Sequence, residues 1–158
     1  GKSGSFESLS LEDISSLIDI NIKALTLMTS MCLPYCIENS KIVNLASSAA
    51  FLPQPNFAVY AASTRYVLNF SRALAEEVKS KNISVTAVCP GPVKTEFLSL
   101  SGIPKYKEKF AVEAEAVVNQ AMKDIKKGKR ISIYSLPMKV VHVISKLIPT
   151  DLILKFYQ

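Results

Sequence analysis

Apolar residues recur at helical spacing in some stretches of this chain and run nearly unbroken through others, and the two patterns alternate. Ile14, Leu17, Ile18, Leu25, Met28 and Cys32 follow a helical period. Ser10-Leu11-Glu12-Asp13 supplies a start, with Ser10 as N-cap and Asp13 three residues on. The spacing predicts a helix from there to about Leu33, with Pro34 in or near its last turn. Lys41 to Leu45 (KIVNL) reads as a buried strand. Ala46 to Phe57, punctuated by Ser47, Ser48, Pro53 and Pro55, reads as loop. A second long helix is expected from about Ala58 to Lys79, broken by Asn82. Ile83 to Val88 (ISVTAV) reads as a buried strand that Cys89-Pro90-Gly91-Pro92 ends sharply. Val93 to Lys109 shows no firm period, and a segment of this length just after a strand is a usual place for a binding loop. Glu113 to Lys127 reads as a helix with Val117, Val118, Ala121, Met122 and Ile125 on one face and Gly128 at C′. Arg130 to Tyr134 is a third strand. A last helix, from about Leu136 to Leu147, puts Leu136, Val140, Ile144 and Leu147 on one side and Lys139, His142 and Lys146 on the other.

Helices alternating with near-continuous apolar strands call for an α/β fold, a parallel sheet covered on both faces. In such sheets ligands bind beyond the carboxyl ends of the strands. Three strands are few for a doubly wound sheet, and there is no G-x-G-x-x-G. The pattern is that of the C-terminal half of a doubly wound, Rossmann-like sheet. Residues 1–158 are thus expected to form a single partial domain without the N-terminal dinucleotide-binding half.

Composition narrows this little. At 158 residues, 49 % hydrophobic and 20 % charged, the chain has the length and make-up of one globular domain. A disordered tail, a collagen-like repeat and a disulfide-stapled miniprotein are excluded. No window holds about 18 uninterrupted apolar residues, so no membrane span is expected. Gly1-Lys2-Ser3-Gly4-Ser5 does not read as a signal peptide. The net charge of +6 falls wholly in residues 105–158, where eleven Lys/Arg face five Asp/Glu; eight of each balance in residues 1–104. A solvated lysine-rich face explains that excess as simply as an anionic partner does, and no zinc-finger or RNA-binding motif accompanies it, so no nucleic acid is expected. Cys32, Cys36 and Cys89 are an odd set without a disulfide framework. They point to a reducing, cytoplasmic compartment and read as small buried apolar residues rather than metal ligands.

Two loops lie beyond strand ends, Ala46 through Ser47 to Tyr60, and Pro90 to Thr95. His142, on a charged helix face, is expected to lie far from both, which leaves a Ser-His-Asp hydrolase without a base. Tyr60 and the serines remain as proton-transfer candidates. At these residues the sequence resembles the short-chain dehydrogenase/reductases: Ile42-Val43-Asn44-Leu45-Ala46-Ser47-Ser48, Tyr60-Ala61-Ala62-Ser63, and Cys89-Pro90-Gly91-Pro92-Val93-Lys94-Thr95. The resemblance runs from Gly1 to about Phe156. It points to the branch of hydroxysteroid dehydrogenases, long-chain 3-oxoacyl-CoA reductases and their bacterial relatives.

The resemblance implies Tyr60 as general acid/base and Ser47, thirteen residues earlier, as the hydrogen-bond partner of the substrate carbonyl. It implies Asn21 as holder of a relay water. Tyr60, Pro90, Gly91, Val93 and Thr95 would bind the nicotinamide end of NADP or NAD. It further implies a small carbonyl or alcohol substrate, which the apolar loop Phe97 to Ile103 suggests is lipophilic, and a homo-oligomer through the helices at 11–33 and 58–79. A phenol with a pKa near 10 needs its phenolate stabilised to act as a base at neutral pH, and the family uses a lysine one turn on. Here that position is Thr64, and the neighbouring Arg65 points well away at about 100° per residue. Gly1 aligns with the glycine of the family's Asn-Asn-x-Gly segment. The phosphate-binding turn and the residues that select NAD or NADP would therefore lie upstream.

Overall fold

The computed structural model describes residues 3–96 and 110–155. Three strands, β1 (Lys41–Leu45), β2 (Ser84–Val88) and β3 (Ile131–Ser132), form an all-parallel sheet in the order β1-β2-β3. Lys41 pairs with Ser84 and Leu45 with Val88, while Ala87 pairs with Ile131 and Val88 with Ser132. This is the expected α/β architecture. β3 is shorter than the run Arg130 to Tyr134.

The helices are α1 (Leu11–Ile18), α2 (Leu25–Cys32), α3 (Ala58–Glu77), α4 (Ala114–Lys126), α5 (Leu136–Leu147) and α6 (Thr150–Leu154). α1 opens on the predicted cap: the Asp13 backbone N–H donates to Ser10 Oγ at 3.0 Å, and the Ser10 hydroxyl donates to Asp13 Oδ2 at 2.7 Å. A π-helical segment, Asp19–Ala24, joins α1 to α2, and a tight turn, Leu33–Tyr35, carries Pro34. Together they make one helical stretch of 25 residues, Leu11–Tyr35, with a mean hydropathy of 1.3. Length and composition alone would let it cross a bilayer, although no uninterrupted apolar run exists. One side is tied to α3 by Asn21 and Thr26, which reach Ser63 and Tyr66. Leu27, Met28 and Met31 face outward, as does Cys32, so the expected burial of that thiol does not hold. Cys36 is half-buried; Cys89 alone of the three is fully enclosed.

α3 lies on one face of the sheet. Its buried positions Ala61, Thr64, Val67, Leu68, Ser71 and Ala75 recur at three and four residues and pack toward β2. Val67 and Leu68 join Phe51, Ala87, Cys89 and Ile133 in the main core. Asn82, in the left-handed region at φ 54°, reverses the chain into β2. α4 covers the other face, with Val117, Ala121 and Ile125 against Val88. Val118 and Met122, expected on that face, are exposed. The helix is rolled toward Asp124, which is buried and accepts from the Ser132 hydroxyl at 2.9 Å while pairing with Lys129 at 2.7 Å. A buried carboxylate needs its partners more than a methionine needs cover.

Coverage of both faces holds for β2 but not for β1. Asn44 is buried toward α3 and donates its amide to Ser71 Oγ at 2.9 Å. Val43 and Leu45 point to the opposite face and are exposed, so KIVNL is not the fully buried strand its composition suggested. α5 also departs from expectation. Met138 and Val141 pack into the core, while Leu136, Val140, Ile144 and Leu147 face solvent. The inward side is set by its neighbours: a Cβ on Gly91 would sit 3.0 Å from Met138 Cγ, and the Phe51 ring lies 4.5 Å from the His142 ring.

Candidate functional site

The carboxyl ends of β1 and β2 bring the two predicted loops side by side. The Ala46 N–H donates to Val88 O and the Ser48 N–H to Pro90 O, both at 2.8 Å. Ser47 therefore stands beside the Pro90-Gly91 turn rather than merely near it in sequence. Its Oγ accepts from the Ala49 N–H at 3.1 Å, which caps the short helical turn Ser48–Phe51 and fixes the rotamer.

Tyr60 enters from the first turn of α3. Phe57 packs on its ring with centroids 4.6 Å apart. Burial raises the Tyr60 pKa above its ordinary value, and a hydrogen bond from Ser47 pulls it partly back. The structure thus joins the predicted serine and tyrosine directly. The net direction is upward, so the phenol holds its proton at neutral pH.

Asn21 comes from the π-helical segment of the first helical stretch. Its amide donates to Ser63 Oγ at 3.0 Å, and the Ser63 hydroxyl donates to Tyr60 O at 2.9 Å. Asn21 is therefore tied to the Tyr60 backbone through Ser63. That link was invisible beforehand, although Ser63, three residues after Tyr60, already stood in the quoted motif. Thr64 is 3 % exposed, and its hydroxyl faces the carbonyls of Tyr60 and Ala61 at 3.0 and 3.1 Å. It adds no charge to the site. Arg65 is directed elsewhere, as expected: Nη1 donates to Ala50 O at 3.0 Å.

The second loop is pinned at its far end. The Lys94 N–H donates to Val112 O, the Val112 N–H donates to Pro92 O, and Lys94 Nζ pairs with Glu113 at 2.6 Å. Pro90, Gly91 and Val93 are half-buried, whereas Thr95 is exposed, its hydroxyl 3.4 Å from Val93 O. A small cavity of about 160 Å³ opens between Gly91, Pro92, Val112, Tyr134 and Met138. The apolar loop Phe97 to Ile103 lies outside the described residues.

His142 is a correction. It is not turned out on a charged face, and it reaches the first loop through Phe51, four residues past Ser47. Its Nδ1 is buried without a hydrogen-bond partner among the described residues. Burial, followed by the charges of Lys146, Arg72 and Arg65, lowers its pKa and keeps it neutral. It makes no hydrogen bond to Ser47 or Ser48 among the described residues. Beside it a shallow cleft of about 490 Å³, lined by Phe51, Pro53, Ala58, Arg65 and Ser145 among others, contains neither Ser47 nor Tyr60.

Known proteins resemble this chain in sequence and in fold. The short chain dehydrogenase family matches residues 1–102. Hydroxysteroid dehydrogenase-like protein 1 of Gallus gallus is 32 % identical over 79 % of this chain and 38 % of its own length. The very-long-chain 3-oxoacyl-CoA reductase of Anas platyrhynchos is 41 % identical over 56 % of this chain and 29 % of its own. The chain thus spans about a third of the curated relatives it matches. A short-chain dehydrogenase from Sphingobium yanoikuyae, solved in complex with NADPH, superposes with a TM-score of 0.80 at 28 % identity, covering 86 % of this chain and 54 % of that one.

Proposed function

The chain belongs to the short-chain dehydrogenase family, and from that membership we propose that the whole protein is an NAD(P)-dependent oxidoreductase acting on a small carbonyl or alcohol. The single observation that carries the catalytic reading is the hydrogen bond between Ser47 and the half-buried Tyr60 beside the Pro90-Gly91 turn.

The residues present fit the nicotinamide end of such a cofactor. The Pro90–Thr95 loop leaves the carboxyl end of β2 next to Ser47, which is where an open parallel sheet receives its ligand. Pro90, Gly91 and Val93 would line the ring, with Thr95 at the rim. They fit the ribose end less well, because Thr64 has no charge to offer and its hydroxyl is spent on backbone carbonyls. The bound cofactor supplies the hydride. Tyr60, protonated at neutral pH, gives its proton to the carbonyl oxygen during reduction. Ser47 donates a hydrogen bond to that oxygen as charge develops on it. Asn21, through Ser63, holds the first turn of α3 in place. Tyr60 stands in the phenol form near neutrality, the form that donates the proton when a carbonyl is reduced.

The names of the relatives support a lipophilic carbonyl substrate, as the segment 97–103 does by composition. Phosphate binding would fall to residues other than these, because the sequence has no glycine-rich turn. The outward side of Leu11–Tyr35, with Leu27, Met28 and Met31, is the surface we assign to a second copy.

The test is nicotinamide oxidation against a panel of ketones, with the phosphate-binding half of a relative fused ahead of Gly1. Tyr60→Phe should cost about a hundredfold or more in turnover, and Ser47→Ala about as much. Full activity in Tyr60→Phe would overturn the assignment. A second reading, a relative that binds the nucleotide without turning it over, rests on Thr64. Nucleotide binding with no turnover on any ketone would select it.

A further inference from the structure

We propose that the outward face of α5 docks on an anionic lipid surface. The most apolar stripe of α5 is the one the fold leaves uncovered: Leu136 and Leu147 are 73 % and 76 % exposed, and Val140, Val143 and Ile144 lie open between them. Ile148 extends the surface past the helix end, and beyond it α6 carries the exposed Asp151. At 100° per residue these five α5 residues span one continuous face, and Lys139 and Lys146 share its flank. α5 carries no Asp or Glu. It is an amphipathic helix whose polar flank is purely basic, the composition that favours lying in a headgroup layer.

Charge decides between the two obvious occupants. A second copy packed through this stripe would set the lysines of both helices against each other, with no carboxylate on α5 to neutralise them. Anionic headgroups complement the same lysines, whose aliphatic stems can lie along the apolar stripe while their ammonium groups reach outward. Of the eleven basic residues of 105–158, α5 carries two, Lys139 and Lys146. The buried side of α5 is held by Met138, Val141 and the Phe51–His142 contact, so the helix presents this face without having to turn.

The experiment uses the 158-residue chain and phosphatidylcholine vesicles with or without phosphatidylserine. Because the chain has no tryptophan, Leu147→Trp reports the face alone. Its emission should shift to the blue with the anionic vesicles, and Ser80→Trp, exposed before the amino end of β2, should not respond. Co-sedimentation should be about tenfold or more tighter with the anionic lipid, should weaken with salt, and should be lost in Val140→Asp/Leu147→Asp with circular dichroism unchanged. Emission of Leu147→Trp that ignores the vesicles would overturn the proposal whatever the fate of the double variant. Equal binding by the double variant would overturn it too. So would a dimer that Val140→Asp splits while vesicles bind nothing, which would assign the face to a second copy.

Discussion

Substituting Thr64 by lysine should lower the pKa of Tyr60. The two positions are one helical turn apart on α3, with Cβ atoms about 5–6 Å apart by helix geometry. An ammonium about 5 Å from the phenolic oxygen, at an effective dielectric of about 20, favours the phenolate by about 3 kcal/mol, or about two pKa units. Thr64 is 3 % exposed, so the ammonium loses hydration there, and this offsets part of the gain. The expected net change is about one unit downward, from a starting value that burial has raised above 10.0. With six tyrosines and no tryptophan, near-ultraviolet phenolate absorbance reads tyrosine ionisation cleanly. Subtracting the titration of each Tyr60→Phe counterpart isolates Tyr60. Thr64→Val serves as the control, since it removes the hydroxyl bonds to the Tyr60 and Ala61 carbonyls without adding charge, and should leave the Tyr60 midpoint in place. In the fused enzyme, Thr64→Lys should raise turnover about tenfold to a thousandfold and move the optimum for alcohol oxidation to lower pH. An unmoved or raised Tyr60 midpoint in Thr64→Lys would refute the claim that this position controls the phenol.

Three further outcomes follow from the packing. The Asp124 carboxyl is pushed up by burial, but bonds from Lys129, Gln120 and Ser132 and the charge of Lys129 outweigh this and hold it below its ordinary value. Its stabilising effect is therefore full above the unfolded carboxylate pKa and fades as pH falls through the lower folded value. Asp124→Asn should cost about 2–3 kcal/mol at neutral pH in urea unfolding and flatten the acid limb of the stability profile; a variant that keeps that limb would count against the bond set. Cys89 is fully buried with its pKa pushed up to about 12, whereas Cys32 is exposed. A thiol reagent should therefore modify Cys32 rapidly in the folded chain and Cys89 only after unfolding, a result mass mapping can contradict. Gly91→Ala should destabilise by about 1–2 kcal/mol because its new methyl meets Met138, and Met138→Ala should absorb part of that cost in thermal melts.

Among the described residues the period of the apolar positions located α1 to α5 and the three strands, because that signal is local, but it missed the short α6. It did not fix how the helices are rolled. For α4, the roll follows a buried carboxylate whose partners, Ser132 and Lys129, come from the following turn and strand. For α5, two contacts outweigh the apolar stripe: the fit of Met138 at Gly91 and the tilted ring contact of His142 with Phe51. Neither is a property of a single segment. The exposure of Val43 and Leu45 likewise depends on which strands neighbour β1, not on its own residues. Ser47 and Tyr60 were legible because their spacing is joint and specific, and the fold does bond them. Asn21 was legible as a candidate, but its contact with Ser63 crosses between two helices.

The buried bond from Asn44 to Ser71 acts as an index mark for the chemistry at the strand's end. Ser47 lies three residues beyond Asn44, so its distance from Tyr60 depends on where β1 stops against α3. Sliding β1 by one residue would turn Val43 or Leu45 toward the hydroxyl of Ser71 and face Asn44 away from it. Sliding it by two would keep the alternation but carry Ser47 about 7 Å along the sheet, out of reach of the phenol. Apolar neighbours tolerate such slips, since one β-branched residue packs much like another, whereas an amide that has a single hydroxyl to meet does not. A polar pair in the middle of the core therefore serves as a gauge, reproducing the same spacing of serine and tyrosine each time the chain folds.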